Sequence, residues 1–170
     1  MASEFVQAVD ATPSVRDRTK PGLRALGPDS AHVRTGRRRI TGSLDLDRAT
    51  REARPNAARW DYGFGYVADG RKEVAVWVEV HPAGTSNAAE ILQKVRWLKA
   101  WLLKDAPELD ALTRRPHSHG PFHWLASGGV HLDPSARSVR AVLQEGVAWP
   151  RTVLNLDTEP ARPARERRTR

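Results

Sequence analysis

The stretch EVAVWVEVH constrains the fold most. Val74, Val76, Val78 and Val80 recur at every second residue, with Ala75, Trp77, Glu79 and His81 between them. That period is a β-strand, and a face of four valines is core, expected to pack under a layer of helices. Upstream, RWDYGFGYV alternates Trp60, Tyr62, Phe64 and Tyr66 with Asp61, Gly63 and Gly65. This predicts a second strand with one aromatic face and one nearly bare face. Asp69-Gly70 between the two reads as a hairpin turn.

The hairpin sets Asp61 and Glu79 on the sides opposite the aromatic and valine faces, looking into one cleft. Only glycines flank Asp61 on that side, so a bulky ligand could approach the backbone there. Two carboxylates on adjacent strands are a hard-cation arrangement, suited to Mg²⁺ or Mn²⁺ and to substrate phosphates. In the plainer reading, Glu79 is a surface acid paired with Arg59 or Lys72. An acid inside a valine-rich strand, however, is costly unless something compensates it.

The flanking patterns supply the remaining elements. A helix is expected from near Ser43 to before Pro55, with Asp45 and Asp47 in its first turn. After the hairpin, Asn87 and Glu90 have capping-box spacing, and Ile91, Val95, Leu98 and Leu102 form a helical stripe. Trp97 and Trp101 are read as core beside that stripe. Residues 105–121, with Pro107, Pro116 and Pro121, are expected to be loop. FHWLASGGV is a third strand. A helix from Pro134 to Glu145 turns Val139, Val142 and Leu143 inward, and RTVLNL is the last strand. The order α-β-β-α-β-α-β implies an α/β (α+β) mixed sheet with helices on its faces.

Three segments follow: a basic, largely irregular 1–42, in which a short helix would dock Leu23 and Leu26; a single α/β domain over 43–157; and a disordered Arg-rich tail, 158–170. The formal charge is +8. Residues 1–42 hold eight Lys/Arg against four acids, and 161–170 hold five Arg against Glu166, so 43–160 is neutral. Charge placed at the ends suits phosphate contacts without sequence readout. Arg37, Arg38, Arg39, Arg165, Arg167 and Arg168 are the candidate nucleic-acid contacts. There is no cysteine, which excludes disulfides and thiolate metal sites. No membrane-length apolar run or signal-peptide pattern is present, so a cytoplasmic protein is expected.

Asp61, then Glu79-Val80-His81, between two helices resembles the layout of the PD-(D/E)xK nuclease superfamily, over roughly residues 43–130. RWDYGFGY, WVEVHPA and FHWLASGGVH are also similar to a group of uncharacterised bacterial proteins with this order. The resemblance implies a restriction-endonuclease-like core and a Mg²⁺- or Mn²⁺-dependent phosphodiesterase with Asp61 and Glu79 as metal ligands. His81 stands where the superfamily has lysine. Neutral histidine accepts a proton but carries no permanent charge. Lys94 on the following helix is the candidate to reach back, with Asp45, Glu52 and His123 as further accessory candidates. The alternative is an inactive nuclease-fold adaptor or accessory subunit, binding nucleic acid or an acidic protein in a larger bacterial complex.

His117, His119 and His123 form an H-x-H…H pattern that could bind zinc, although the segment reads as polar loop. A His81/His123/Glu79 cluster is also conceivable if their strands are neighbours. No nucleophile elbow, Walker loop or dinucleotide fingerprint is present.

Overall fold

The computed structural model describes residues 2–158. Arg165, Arg167 and Arg168, and all but the first residue of the tail expected over 158–170, lie outside the described residues. The helices are α1 (Glu4–Asp10), α2 (Leu46–Thr50), α3 (Ala88–Asp105), α4 (Pro107–Arg114) and α5 (Arg137–Gln144). The strands are β1 (Thr19–Lys20), β2 (Val33–Arg34), β3 (Ile40–Asp45), β4 (Tyr62–Val67), β5 (Glu73–Gly84), β6 (Phe122–His131), β7 (Val147–Arg151) and β8 (Leu154–Asn155).

A mixed six-stranded sheet, in the order β1-β3-β4-β5-β6-β7, carries the fold. Strands β1, β3, β4 and β5 are antiparallel neighbours, whereas β5, β6 and β7 run parallel. Strands β2 and β8 form a separate parallel pair. The chain is therefore a mixed α/β fold, and helices flank its sheet. Among the described residues, no helix is long and apolar enough to cross a membrane.

The two sheet faces are covered differently. Ala75 and Trp77 of β5 join Phe5, Leu46, Ile91, Val95, Leu98, Leu109 and Val139, so all five helices share one core. Val74, Val76 and Val78 face the other way, with Phe64, Tyr66 and Leu125. The valine face was expected to lie under helices. It is instead covered by the 3-10 segment Arg24–His32 and by β2 and β8, through Leu26, Val33, Leu154 and Leu156.

Several boundaries differ from the sequence expectation, each for a physical reason. Residues 40–45 are strand, because Gly42 to Asp45 pair with β4. The expected helix shrinks to α2, with Asp45 as its N-cap, donating nothing and accepting from the Arg48 N–H at 2.9 Å. The boundary at residue 42 thus falls inside β3. The N-terminal segment is not largely irregular either: Phe5, Val9 and Val15 are fully buried, and the Glu73 carboxylate accepts the N–H groups of Glu4 and Phe5 at 3.0 and 2.8 Å. A 3-10 segment replaces the expected helix around Leu23 and Leu26, though both do pack on the core.

Residues 107–114 form α4 rather than loop, with Pro107 at the first turn, where its missing N–H costs nothing. The last sheet strand is β7, and Leu154–Asn155 leaves the sheet to pair with β2. The bare side of β4 is filled. A Cβ on Gly63 would lie 2.6 Å from Trp77 Cε3, and one on Gly65 would lie 2.5 Å from Phe5 Cβ. The glycines admit these two rings, so no ligand reaches that stretch of backbone.

Candidate functional site

Glu79 is completely buried, on the helix-covered face of β5. Its Oε1 accepts the Asp61 N–H at 3.0 Å, and its Oε2 accepts from Lys94 Nζ at 2.6 Å. Asp61 sits immediately before β4, and its Oδ2 accepts the Val80 N–H at 3.1 Å. The two carboxyl groups thus brace each other's strands, and α3 carries Lys94 over them. Lys94 and His81 side chains are 16% and 18% exposed, so the cluster borders solvent on the α3 side.

His81 lies within the cluster without replacing the cation. Its Nδ1 is 3.8 Å from Glu79 Oε2, and its Nε2 is 3.2 Å from Glu90 Oε2. Lys94 therefore supplies the positive charge next to Glu79. Glu90 was read as half of a capping box. Instead, Asn87 Oδ1 accepts the Gly84 N–H at 3.0 Å, and Glu90 faces His81. Its spacing of four from Lys94 on one helix face was the available signal.

The electrostatics follow from burial. Burial raises the Glu79 carboxyl well above the usual range, and the Asp61 charge pushes the same way, against Lys94. Burial also raises Asp61, with Lys94 and the Val80 N–H opposing. The two carboxyl groups are close enough to act on each other's charge. Burial works against the Lys94 ammonium, yet the charge and hydrogen bond of Glu79 outweigh it and hold its pKa above normal. The arrangement that satisfies all three groups has one proton shared by the acids and one carboxylate balancing Lys94. The pair then titrates as a unit.

Asp47 was not singled out by sequence, but it borders the site. Its N–H donates to the Asp61 carbonyl at 3.2 Å, and its carboxylate takes Arg51 at 2.6 Å and Arg59 at 2.8 Å. Burial raises its pKa, but the two arginines more than reverse this and hold it low. Arg59 is thereby committed to Asp47, not Glu79, and Lys72 is exposed by the hairpin turn.

The other candidates lie elsewhere. Asp45 caps α2 and lines a separate groove. Glu52 is exposed beyond α2 and makes no hydrogen bond or ion pair to the cluster among the described residues. His123 pairs in register with Val78, so it faces the valine side, opposite Glu79. That register rules out a His81/His123/Glu79 cluster. Arg37 and Arg39 are exposed, and Arg38 pairs with Asp69 at 2.8 Å. Because Val67 N–H donates to the Arg39 carbonyl, these arginines sit at the far end of β4 from Asp61, roughly 20 Å along the strand.

The three histidines of the H-x-H…H pattern are packed rather than free. His123 Nε2 donates to the Gly120 carbonyl at 2.9 Å, His119 Nε2 bonds the Leu156 carbonyl at 3.1 Å, and His117 meets the Tyr66 ring edge-on at 6.2 Å. Burial lowers His117 and His123 to about 4. Among the described residues, no group of three or more His, Cys, Asp or Glu side chains is arranged to hold a metal ion.

Asp61 and Glu79 offer carboxylate oxygens, the donor type that Mg²⁺ and Mn²⁺ take. Both Glu79 oxygens and Asp61 Oδ2 already accept protein donors. No family model, curated protein or solved structure matches this chain.

Proposed function

We propose that this chain is a cytoplasmic, nucleic-acid-associated protein with a PD-(D/E)xK-like, restriction-endonuclease-like core, acting as a divalent-cation-dependent phosphodiesterase. The observation that carries the reading is Lys94 Nζ, 2.6 Å from Glu79 Oε2, above the Asp61–Glu79 carboxyl pair. It supplies, from α3, the cation missing at the His81 position. Asp61 and Glu79 would hold Mg²⁺ or Mn²⁺, which acidifies a bound water and offsets charge on phosphate. Lys94 neutralises charge developing on the phosphodiester. His81, set between Glu79 and Glu90, accepts a proton at its ring nitrogen. Arg59 and Arg51 restrain Asp47, and through its backbone bond they help seat Asp61.

The test is incubation of the full chain with labelled DNA and RNA, with and without Mg²⁺ or Mn²⁺. Cleavage that requires the ion and is lost in Glu79→Gln and Lys94→Met, both checked for native circular dichroism, is the expected result. Cleavage persisting in Glu79→Gln would assign the activity to another source.

One observation favours a second reading, an inactive adaptor or accessory subunit of a larger complex. Both Glu79 oxygens already accept protein donors, and the residue has no solvent exposure. In that reading the cluster is a buried latch joining β4, β5 and α3. Nucleic-acid or acidic-protein binding without any divalent-dependent cleavage distinguishes it.

A further inference from the structure

We propose that the groove between the 3-10 segment Arg24–His32 and α2 binds the phosphodiester backbone of a nucleic acid. This rests on the nucleic-acid reading above but assigns the contact surface to different residues from those the sequence suggested. Arg18, Lys20, Arg24 and Arg48, from three separate stretches of chain, line a concavity of 480 Å³. All four are exposed. Among the described residues none of them makes an ion pair, whereas Arg38, Arg51, Arg59, Lys94, Arg96, Lys99, Arg114 and Arg115 all do. The one carboxylate in the groove, Asp45, is engaged by the Arg48 N–H. Four uncommitted cations facing one concavity create a local positive field that a polyanion relieves.

The groove is prebuilt. Tyr62 donates its hydroxyl to Asp29 Oδ2 at 2.7 Å, and the Ala25 N–H donates to Ser43 Oγ at 3.0 Å. These bonds tie the 3-10 wall to β4 and β3. Placement adds a second, independent argument. Tyr62 lines the groove and is the chain neighbour of Asp61, so the groove opens at the end of β4 where the acidic cluster sits. Residues 37–39 lie at the opposite end. A strand held by Arg18, Lys20, Arg24 and Arg48 therefore runs past the start of β4, whereas one held at 37–39 does not.

The test measures binding of the full chain to fluorescent single-stranded and duplex oligonucleotides across a salt series, in EDTA so that cleavage plays no part. Each phosphate contact contributes about 0.7–0.9 to the slope of log affinity against log salt. Arg18→Ala/Arg24→Ala, at exposed positions whose side chains make no hydrogen bond, should lower the slope by about 1.4–1.8 and weaken binding of every sequence alike. Arg37→Ala/Arg39→Ala should leave the slope unchanged. An unchanged slope in the groove variant, or a loss that moves to the Arg37/Arg39 variant, overturns the assignment while leaving nucleic-acid binding in place. Displacement by polyaspartate as effective as by DNA overturns it in favour of an acidic protein. Absence of any binding by the wild type removes the nucleic-acid reading itself.

Discussion

Lys94→Met probes the central cluster most directly. The Lys94 and Glu79 charges are 2.6 Å apart, with side chains 16% and 0% exposed. At an effective dielectric near 20, their gross attraction is about 6 kcal/mol, much of it offset by desolvation. Removing one partner of a buried pair costs about 3–5 kcal/mol. The cost should depend on pH, with a definite sign. Both carboxyls lie above their unfolded values in the fold. Such groups contribute stability that is fully present below the unfolded pKa, about 4, and lost as pH rises through the folded one. Without the ammonium, the folded carboxyls rise further and hold up to one more proton. Unfolding free energy should then fall, relative to wild type, by up to about 1.4 kcal/mol per pH unit above about pH 4. Guanidinium unfolding at pH 4.5, 6 and 8 measures this. The penalty should be small at pH 4.5 and several kcal/mol at pH 8. A penalty independent of pH, or below about 1 kcal/mol at pH 8, would refute the shared-proton cluster.

Three further outcomes are expected. Glu79→Gln leaves Asp61 to balance Lys94, so its stability at pH 7 should stay within about 1 kcal/mol of wild type, and the fall above pH 5 should flatten; denaturant titration at both pH values checks it, and any cleavage should disappear. Gly63→Ala sets a Cβ against the Trp77 ring and should cost about 1–3 kcal/mol in thermal unfolding; a neutral result would mean that Trp77 does not fill that side of β4. His123, lowered to about 4, stays neutral in the fold while the unfolded imidazole takes a proton, so its contribution is present above about pH 6.5 and lost as pH falls toward 4. His123→Gln, which keeps a donor for the Gly120 carbonyl, should remove up to about 3 kcal/mol of the stability difference between pH 7 and pH 4.

What the sequence made legible was mostly local period. The alternation at Val74, Val76 and Val78, and the stripe Ile91, Val95, Leu98 and Leu102, are both core as read. What covers each face was not legible, because period two separates two faces without saying which of them meets helices. The same limit hid Phe5 and Trp77 on the glycine side of β4, and the N-terminal α1, whose anchor is Glu73 far along the chain. The loop histidines looked polar by composition, yet the register of β6 with β5 turns His123 into the valine side.

The cluster itself shows where linear spacing stops being informative. A motif counted along the strand stops at His81, two residues from Glu79, and finds no permanent charge. Physical chemistry asks a different question: what compensates an acid in the middle of an apolar strand? Asp61 offers its N–H but no positive charge. His81 is neutral unless protonated and stands 3.8 Å away. The requirement can be met only by a cation on the element packed over that face, and Lys94, fifteen positions on, is the lysine whose helix face meets it. The expense of burying Glu79 thus carried real information about the fold before any distance was known. It implied a partner without identifying it, because identity depends on how α3 docks. That same docking sets Glu90 beside His81 and couples Lys94 to Glu79 and Asp61, a charged cluster rather than a motif with a missing residue.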